Sequence, residues 1–284
     1  MKTAAAAALC SIFLLPPGVS AEVVEKETVR KSFPVAPSEV HLSVDNIWGS
    51  IDVTAYPGQE IRLVAGKTLY ADDAEAAADA RREVKLDLTQ SGNSIKAYVD
   101  GPFRCQCDNG CDGYRNGRRE RHYRVQYDFH IEVPVNTALT VSTVNSGDIT
   151  IRGTSGEFDV RNVNGRIEMA GVSGSGHVGT VNGEVRVTLA RNPVAETTFR
   201  TINGDIDVTF QPRLSADVRV KTMHGDVFTD FDVSALPRLA SSPERRNGHF
   251  VYRSDDGSRF RIGNGGPEFQ FETLNGTIRI RSHS

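Results

Sequence analysis

The sequence has no large excess of charge of either sign. Its 284 residues contain 33 Lys and Arg and 36 Asp and Glu, which gives a formal net charge of −3. A nucleic-acid partner would require a clustered excess of positive charge, so we predict none. The chain also has only one Trp, but it has 26 Gly. This composition is typical of a turn-rich globular protein, and the length is enough for a sizeable core.

Long apolar runs are missing after residue 15. No later segment approaches the ~18 apolar residues of a membrane-spanning helix, so we expect no transmembrane helix in the mature chain. Residues 1–21 have the three parts of a signal peptide: Lys2, the apolar run from Ala4 to Leu15, and the small residues before Glu22. We therefore predict export to the periplasm or the cell surface of a bacterium.

Common catalytic motifs are missing as well. The sequence contains no Gly-x-Ser-x-Gly elbow, no His-Glu-x-x-His and no P-loop. Residues 174–179 (GSGHVG) have the spacing of a dinucleotide fingerprint, but a strand pattern follows them where a helix N-terminus would have to bind the pyrophosphate. We predict that the protein is not an enzyme and has no cofactor.

One ten-residue pattern recurs instead: apolar-x-x-apolar-Asn-Gly-x-apolar-x-apolar. Four copies fit it throughout, at residues 160–169, 178–187, 199–208 and 271–280. Three copies vary it: 141–151 has one residue inserted, 220–229 has His224 in place of Asn, and 44–53 has Trp48 there. Self-similarity at a short period is the sequence sign of a repeat architecture.

Each copy predicts a strand, a tight corner and a second strand. Asn-Gly tolerates positive φ, which favours a corner, and alternating apolar and polar residues follow it, as in a strand with one buried face. Corner glycines at 147, 165, 183, 204 and 225 are separated by 18, 18, 21 and 21 residues. The predicted structural corner residues are Asn164, Gly165, Asn182, Gly183, Asn203, Gly204, Gly225, Asn275 and Gly276.

Such short units can bury their apolar edges only by stacking. We therefore predict an all-β fold, a single-stranded β-helix or β-solenoid-like repeat in which the corner Asn residues form a ladder. An antiparallel meander with a hairpin at each Asn-Gly is the alternative. One short α-helix is expected over residues 72–84, where Asp72 or Asp73 can cap the N-terminus. Near the C-terminus, segments 249–254 and 258–262 predict a hairpin insertion.

Three domains follow from this pattern: the signal peptide (1–21), an N-terminal β-rich segment (22–130) and a β-solenoid, adhesin-like domain (131–284). The N-terminal segment contains a Cys- and Arg-rich loop at 104–124. In an oxidising compartment we expect a disulfide there, with Cys111 bonded to Cys105 or Cys107 and one thiol left over. Zinc bound with His122 or His130 is the alternative, although the spacing fits no paired Cys-x-x-Cys module.

The same loop has a candidate anion patch that could bind an acidic envelope polymer, although nearby acidic residues dilute it. It consists of Arg115, Arg118, Arg119, Arg121 and Arg124. The acids that follow the corner glycines, such as Asp148, Glu184 and Asp205, could instead form a row for Ca²⁺ or for polysaccharide cleavage. Arg166 and Thr277 interrupt that row, and an exposed face of alternating charge is the simpler interpretation.

The lead-in Ile131-Glu-Val-Pro134, the stretch 139–149 (LTVSTVNSGDI) and the corners 180–184 (TVNGE) and 201–205 (TINGD) resemble the DUF4097 adhesin-like family of bacterial envelope proteins. The resemblance covers about residues 131–280. It implies a single-stranded β-helix-like fold and an exported or membrane-facing location, and it implies no established activity. We expect a non-enzymatic protein that binds an envelope polymer or protein. A self-associating structural protein, a homo-oligomer, or a polysaccharide-acting enzyme are the alternatives.

Overall fold

A computed structural model describes residues 22–104, 122–236, 244–246, 249–251 and 257–283. The predicted signal peptide and most of the Cys- and Arg-rich loop lie outside these ranges. The described residues form 23 strands and one helix. In chain order they are β1 Val23–Pro34, β2 Val40–Asp45, β3 Ile51–Tyr56, β4 Glu60–Ala71, α1 Ala74–Glu83, β5 Lys85–Ser91, β6 Ser94–Asp100, β7 Tyr123–Pro134, β8 Thr137–Thr143, β9 Ile149–Arg152, β10 Phe158–Asn162, β11 Ile167–Val172, β12 Gly176–Gly179, β13 Val185–Leu189, β14 Thr197–Arg200, β15 Ile206–Phe210, β16 Ala216–His224, β17 Val227–Thr229, β18 Val233–Ala235, β19 Glu244–Arg246, β20 His249–Val251, β21 Ser258–Ile262, β22 Glu268–Asn275 and β23 Ile278–Ser282.

Two long sheets contain nearly all of these strands. Sheet A has the order β1-β4-β7-β3-β9-β11-β13-β15-β23-β17, and sheet B has the order β18-β21-β16-β22-β14-β12-β10-β8-β2-β6-β5. Each copy of the sequence pattern contributes its first strand to sheet B and its second strand to sheet A, and equivalent strands pair in parallel. This arrangement confirms the predicted β-solenoid-like fold and excludes the meander.

The coils stack in a different order from the chain. The last coil, β22/β23, lies between β14/β15 and β16/β17 in both sheets. At the other end, β6 and β7 pair in parallel with β2 and β3 and form a further coil. The two strands of that coil are separated by residues 101–122, so the ten-residue pattern does not mark it in the sequence.

Aromatic packing explains where the last coil lies. Phe269 and Phe271 of β22 are 0% and 1% exposed. The Phe271 ring is 5.1 Å from that of Phe199 on one neighbouring coil, and the Phe269 ring is 5.4 Å from that of Phe210. Such rings bury a large apolar area and favour stacked or edge-on partners. The aliphatic residues of β16 offer no ring to stack on, so the phenylalanine-bearing coil lies inside the stack.

The helix covers the β1/β4 end of sheet A. It begins after Asp73, whose carboxylate accepts a hydrogen bond from the backbone N–H of Ala76 at 2.8 Å. This bond satisfies one of the free donors of the first turn. Ala76, Ala77 and Ala80 are buried, and the helix packs on β4 and β7. Its bounds, 74–83, fall within the predicted segment 72–84.

The C-terminal insertion is built differently from the predicted hairpin. β20 pairs with β19, with His249 opposite Arg246. β21 pairs antiparallel with β16 and also with β18, so segments 249–254 and 258–262 do not pair with each other in the described residues. A hairpin, β19/β20, is thus present near the C-terminus, but the predicted pairing of these two segments was wrong, because β16 offers β21 a longer, partly buried partner than a short isolated hairpin strand would.

Strands on both sides of the predicted boundary at residue 131 belong to the same two sheets, and residue 131 itself lies within β7. Both sheets thus continue across this boundary. The division into an N-terminal segment and a solenoid domain stays a prediction. Among the described residues, no helix combines the length and the apolar character needed to cross a membrane.

Candidate functional site

The corner asparagines form a hydrogen-bonded ladder along one edge of the solenoid. Each side-chain amide donates to the side-chain oxygen of the Asn on the preceding coil. The donor–acceptor distances are 3.0 Å for Asn164 to Asn145, 2.8 Å for Asn182 to Asn164, 2.8 Å for Asn203 to Asn182 and 2.7 Å for Asn275 to Asn203. Asn at this position thus bonds coil to coil, while Trp48 and His224 occupy the two ends of the row.

The corner glycines are required by close approach between coils. A Cβ added to Gly183 would lie 2.1 Å from the carbonyl oxygen of Gly165, and one added to Gly165 would lie 2.2 Å from that of Gly147. Positive φ is not the general reason, because Gly165, Gly183 and Gly225 lack it. The corner asparagines lack it too, since Ser146 is the one non-glycine residue with positive φ among those described. Gly49 does have a positive φ, of 113°, so the tolerance of positive φ on which the corner prediction relied is used at that corner but not at Gly165, Gly183 or Gly225.

A second polar row lies beneath the corners and was missed in the sequence. The Thr201 hydroxyl donates to the carbonyl oxygen of Gly183 at 3.0 Å, and the Thr180 hydroxyl donates to that of Gly165 at 3.0 Å. Asn162 fills the same position and donates to Gly147 at 2.9 Å. The signal was available, because the third position of every copy is Thr or Asn: residues 46, 143, 162, 180, 201, 222 and 273.

Two of the acids that follow the corner glycines accept hydrogen bonds from the backbone of a neighbouring coil. Asp148 accepts a bond from the N–H of Arg166 at 2.8 Å, and Asp205 accepts one from the N–H of Thr277 at 2.8 Å. This backbone bond, together with Arg279, lowers the pKa of Asp205 below its ordinary value. A carboxylate held as an anion by such partners is poorly suited to act as a general acid. Asp148 and Asp205 therefore have a structural role in joining coils.

The Cys- and Arg-rich loop begins at the outer edge of this corner row. Arg104 is buried and forms a two-oxygen contact with Asp45 at 3.0 Å, and the Phe103 ring packs edge-on against Trp48 at 5.0 Å. Cys105, Cys107, Cys111, Arg115, Arg118, Arg119 and Arg121 lie outside the described residues, so the disulfide and the anion patch stay predictions.

Three residues near the end of the loop are described. Arg124 is the second residue of β7, and its guanidinium lies 4.6 Å from the centre of the Tyr70 ring. His122 bonds to Asp72 at 2.9 Å. His130 lies further along β7. Within the described ranges, no cluster of three His, Cys, Asp or Glu residues could hold a metal ion.

The outer face of sheet B has a shallow groove that runs along the stack. Two adjoining depressions, of about 340 Å³ and 290 Å³, share Thr140 and Asp159 as lining residues. Together they touch β6, β2, β8, β10 and β12, five neighbouring strands. At a strand spacing of ~4.8 Å, the four intervals give a length of about 19 Å. We call this feature the sheet B groove.

The floor of the sheet B groove is one row of outward-facing side chains. In register across the sheet, they are Lys96, Ser43, Thr140, Asp159 and His177. The row is concave at its centre because Ser43 and Thr140 have short side chains, whereas longer residues flank them. Along this open track the polar groups are, in order, an ammonium, two hydroxyls, a carboxylate and an imidazole.

The charges on the floor and at the rim of the sheet B groove are largely paired within the protein. Arg161 bonds Asp159 at 2.9 and 2.7 Å, and Asp45 is paired with Arg104. The Tyr98 ring has Lys96 and Arg104 at 4.7 and 4.3 Å from its centre. Paired charges largely cancel each other's electrostatic potential, so they attract an ionic ligand only weakly. The groove therefore offers mainly directional hydrogen bonds.

The stacked coils and their corner ladder define a β-solenoid. Residues 132–248 match the model of the Toastrack DUF4097 family, which confirms the resemblance predicted from the corner sequences. The matched segment ends before β22 and β23, although these strands lie inside the stack. No curated protein matches the chain.

Three solved structures show a distant likeness. The "putative cell adhesion protein" of Clostridium sporogenes ATCC 15579 is 10% identical, with 90% of this chain and 100% of that chain covered and a TM-score of 0.36. The "putative adhesin" of Bacteroides fragilis NCTC 9343 is 9% identical, with 90% and 97% covered and a TM-score of 0.30. The "putative lipid binding protein" of Parabacteroides distasonis ATCC 8503 is 10% identical, with 91% and 97% covered and a TM-score of 0.28. Likenesses at this level say nothing about activity.

Proposed function

We propose that this protein is an exported, non-enzymatic binding module of a bacterial cell envelope that holds an extended polysaccharide along the sheet B groove. The observation that carries the proposal is the continuous polar floor across five parallel strands. An open track of this length suits a chain-like ligand with repeating hydroxyl groups, because each coil offers one more donor or acceptor. A small molecule would be poorly enclosed in so shallow a site.

Polysaccharide is favoured over an acidic polymer by the state of the charges. Asp159 and Asp45 already have guanidinium partners, so a polyanion would meet no unopposed cluster of positive charge among the groove residues described. Planar or short polar side chains such as His177, Ser43 and Thr140 can instead donate to and accept from sugar hydroxyls. Single contacts of this kind are weak, and binding would depend on several coils acting together.

The test is binding of envelope polysaccharides to the purified mature protein, measured by isothermal titration calorimetry with Thr140→Arg as the variant. Thr140 is exposed at the centre of the floor, so an arginine there would fill the groove without entering the core. We expect the variant to lose at least about tenfold in affinity, the equivalent of roughly 1.4 kcal/mol.

The matched control is Thr150→Arg, which adds the same side chain to the outer face of sheet A in the same coil. It should bind as the unchanged protein does. Equal affinity of all three proteins, or release of new reducing ends from the polysaccharide, would refute the proposal. Export is checked separately, because N-terminal sequencing of the protein from fractionated cells should begin at Glu22.

A further inference from the structure

One end of the solenoid exposes an apolar edge. Among the described residues, eight large apolar side chains are exposed, and five of them lie on β16, β17, β18 and β22. Met223 is 66% exposed and Phe228 is 56% exposed, while Val227 is 37% exposed in a position where the equivalent Ile206 and Ile278 are fully buried. A cluster of this kind on a soluble surface marks an interaction site. We call Met223, Val227 and Phe228 the terminal apolar edge.

The backbone of this end is also open. In the inner coils, the N–H of the first inward residue donates to the next coil: Ile206 to Thr277 at 2.9 Å, and Ile278 to Asp226 at 2.9 Å. Val227 holds the equivalent position on β17, which is the last strand of sheet A among the described residues. Because residues alternate in a parallel ladder, Val227 and Thr229 direct their backbone groups away from β23. Such a strand is a template for another strand.

The opposite edge of sheet A is β1, and its direction matches. β4 runs antiparallel to β7 and to β1, so β1 runs the same way as β7 and the coil strands. A second copy displaced along the stack axis would therefore present β1 parallel to β17. Sheet A would then continue from one copy into the next.

The two edges carry opposite charge. Asp226, Asp230 and Asp232 flank the short strand β17, whereas the nearby cations Arg279 and Arg281 are paired with Asp205 and Asp207 at 2.8 and 2.9 Å.

The opposite holds on β1, where acidic residues are paired and two cationic residues are exposed. Glu25 is paired with Arg81, and Glu27 lies 3.5 Å from Lys67, while Lys26 and Arg30 are exposed on the same strand. Two β17 edges facing each other would bring like charges together. Only the head-to-tail pairing is complementary.

We propose that copies of this chain associate end to end, with β17 of one copy pairing in parallel with β1 of the next. The terminal apolar edge is covered at each junction, and the acids beside β17 face Lys26 and Arg30. The contact is heterologous, so it extends into an open chain of copies instead of closing into a dimer. The sheet B groove takes no part in the junction.

The test is sedimentation velocity of the full mature chain over a range of concentrations. The unchanged protein should form larger species as concentration rises, and salt should weaken the association because the charges at the edges are exposed. Two double variants reverse one edge each: Asp226→Lys with Asp232→Lys, and Lys26→Glu with Arg30→Glu. Each alone should associate at least about tenfold more weakly, by analogy with charge pairs at other interfaces.

Recombining the variants separates this junction from other modes of association. An equimolar mixture of the two double variants, and a single chain that carries all four changes, should both regain assembly, because opposite charges again face each other at every junction. Circular dichroism confirms that each variant is folded. Thr140→Arg, which alters only the groove, should assemble normally.

Three results would overturn the proposal. The first is a protein that stays monomeric at every concentration, which is the outcome expected if residues 237–256 of the same chain cover the edge. The second is a dimer that responds to the β17 variant but not to the β1 variant, which indicates pairing of two β17 edges. The third is failure of the four-change chain to assemble although it is folded.

Discussion

The close packing of corner glycines gives a sharp prediction about a single methyl group. In Gly183→Ala the added Cβ would lie 2.1 Å from the carbonyl oxygen and 2.6 Å from the carbonyl carbon of Gly165. Both atoms belong to the backbone of the preceding coil and cannot rotate away. Relief requires the two coils to separate by more than 1 Å at the corner, starting from the 2.1 Å contact. That shift would also stretch the Asn182 to Asn164 bond.

We expect Gly183→Ala to lower the free energy of unfolding by about 3 kcal/mol, the upper part of the range for overpacking. Gly179→Ala is the matched control, four residues earlier in the same coil. Its Cβ would lie 3.5 Å from the nearest atom, the carbonyl oxygen of Arg200, which is an ordinary contact. A strand glycine replaced by Ala without strain should gain roughly 0.5 kcal/mol, through lower entropy of the unfolded chain.

Urea unfolding followed by circular dichroism measures both variants, with calorimetry as a second readout. At roughly 2–4 °C for each kcal/mol in a protein of this size, Gly183→Ala should melt about 6–12 °C below the unchanged protein. The reasoning fails if the two glycine variants have the same stability. It also fails if Gly183→Ala loses stability while the spacing of the coils in its crystal structure is unchanged.

Two further predictions concern buried polar groups. Thr201→Val removes the buried hydroxyl that donates to Gly183, and it should cost about 1–2 kcal/mol in urea unfolding because a half-buried carbonyl loses its donor. Thr198→Val, on the outer face of β14, should be nearly neutral. Burial raises the pKa of Tyr127 from 10.0 to about 12, so its contribution to stability is intact below pH 10 and is lost as pH rises toward 12. Tyr127→Phe should flatten the alkaline decline of the melting temperature, and an unchanged decline would contradict this assignment.

The repeat was predictable because the same physical demand recurs at every corner. Gly183 must allow the carbonyl of the preceding coil to approach, and Asn182 must bond to the side-chain amides of the asparagines on the two neighbouring coils. Each coil has the same two requirements, so Asn-Gly recurs in the sequence. Thr201 was missed because the pattern was defined by its apolar residues and the Asn-Gly corner, and the recurring Thr or Asn at its third position was left out of that definition. Its meaning depends on the Gly183 carbonyl, which belongs to another coil.

The stacking order could not be obtained from the pattern. Copies that share one consensus have no local preference for a particular neighbour, and the choice is made by ring packing between Phe199 and Phe271. The coil β6/β7 was hidden because its two strands are far apart in the sequence and do not form a ten-residue copy of the pattern. The sheet B groove was hidden for a related reason: Ser43, Thr140 and His177 are unremarkable in sequence and become neighbours only when their coils are stacked.

The place of the last coil sets the order in which the molecule can be completed. Asn275 and Asn203 bond directly although they are 72 residues apart, and β16/β17 has no inner neighbour until β22/β23 arrives. Coils up to β15 can add one after another as the chain emerges, but the final rung must enter between two that precede it. A chain that ends before residue 268 would lack the strand that pairs with both neighbours in each sheet, and Phe199 and Phe210 would lose their stacked ring partners.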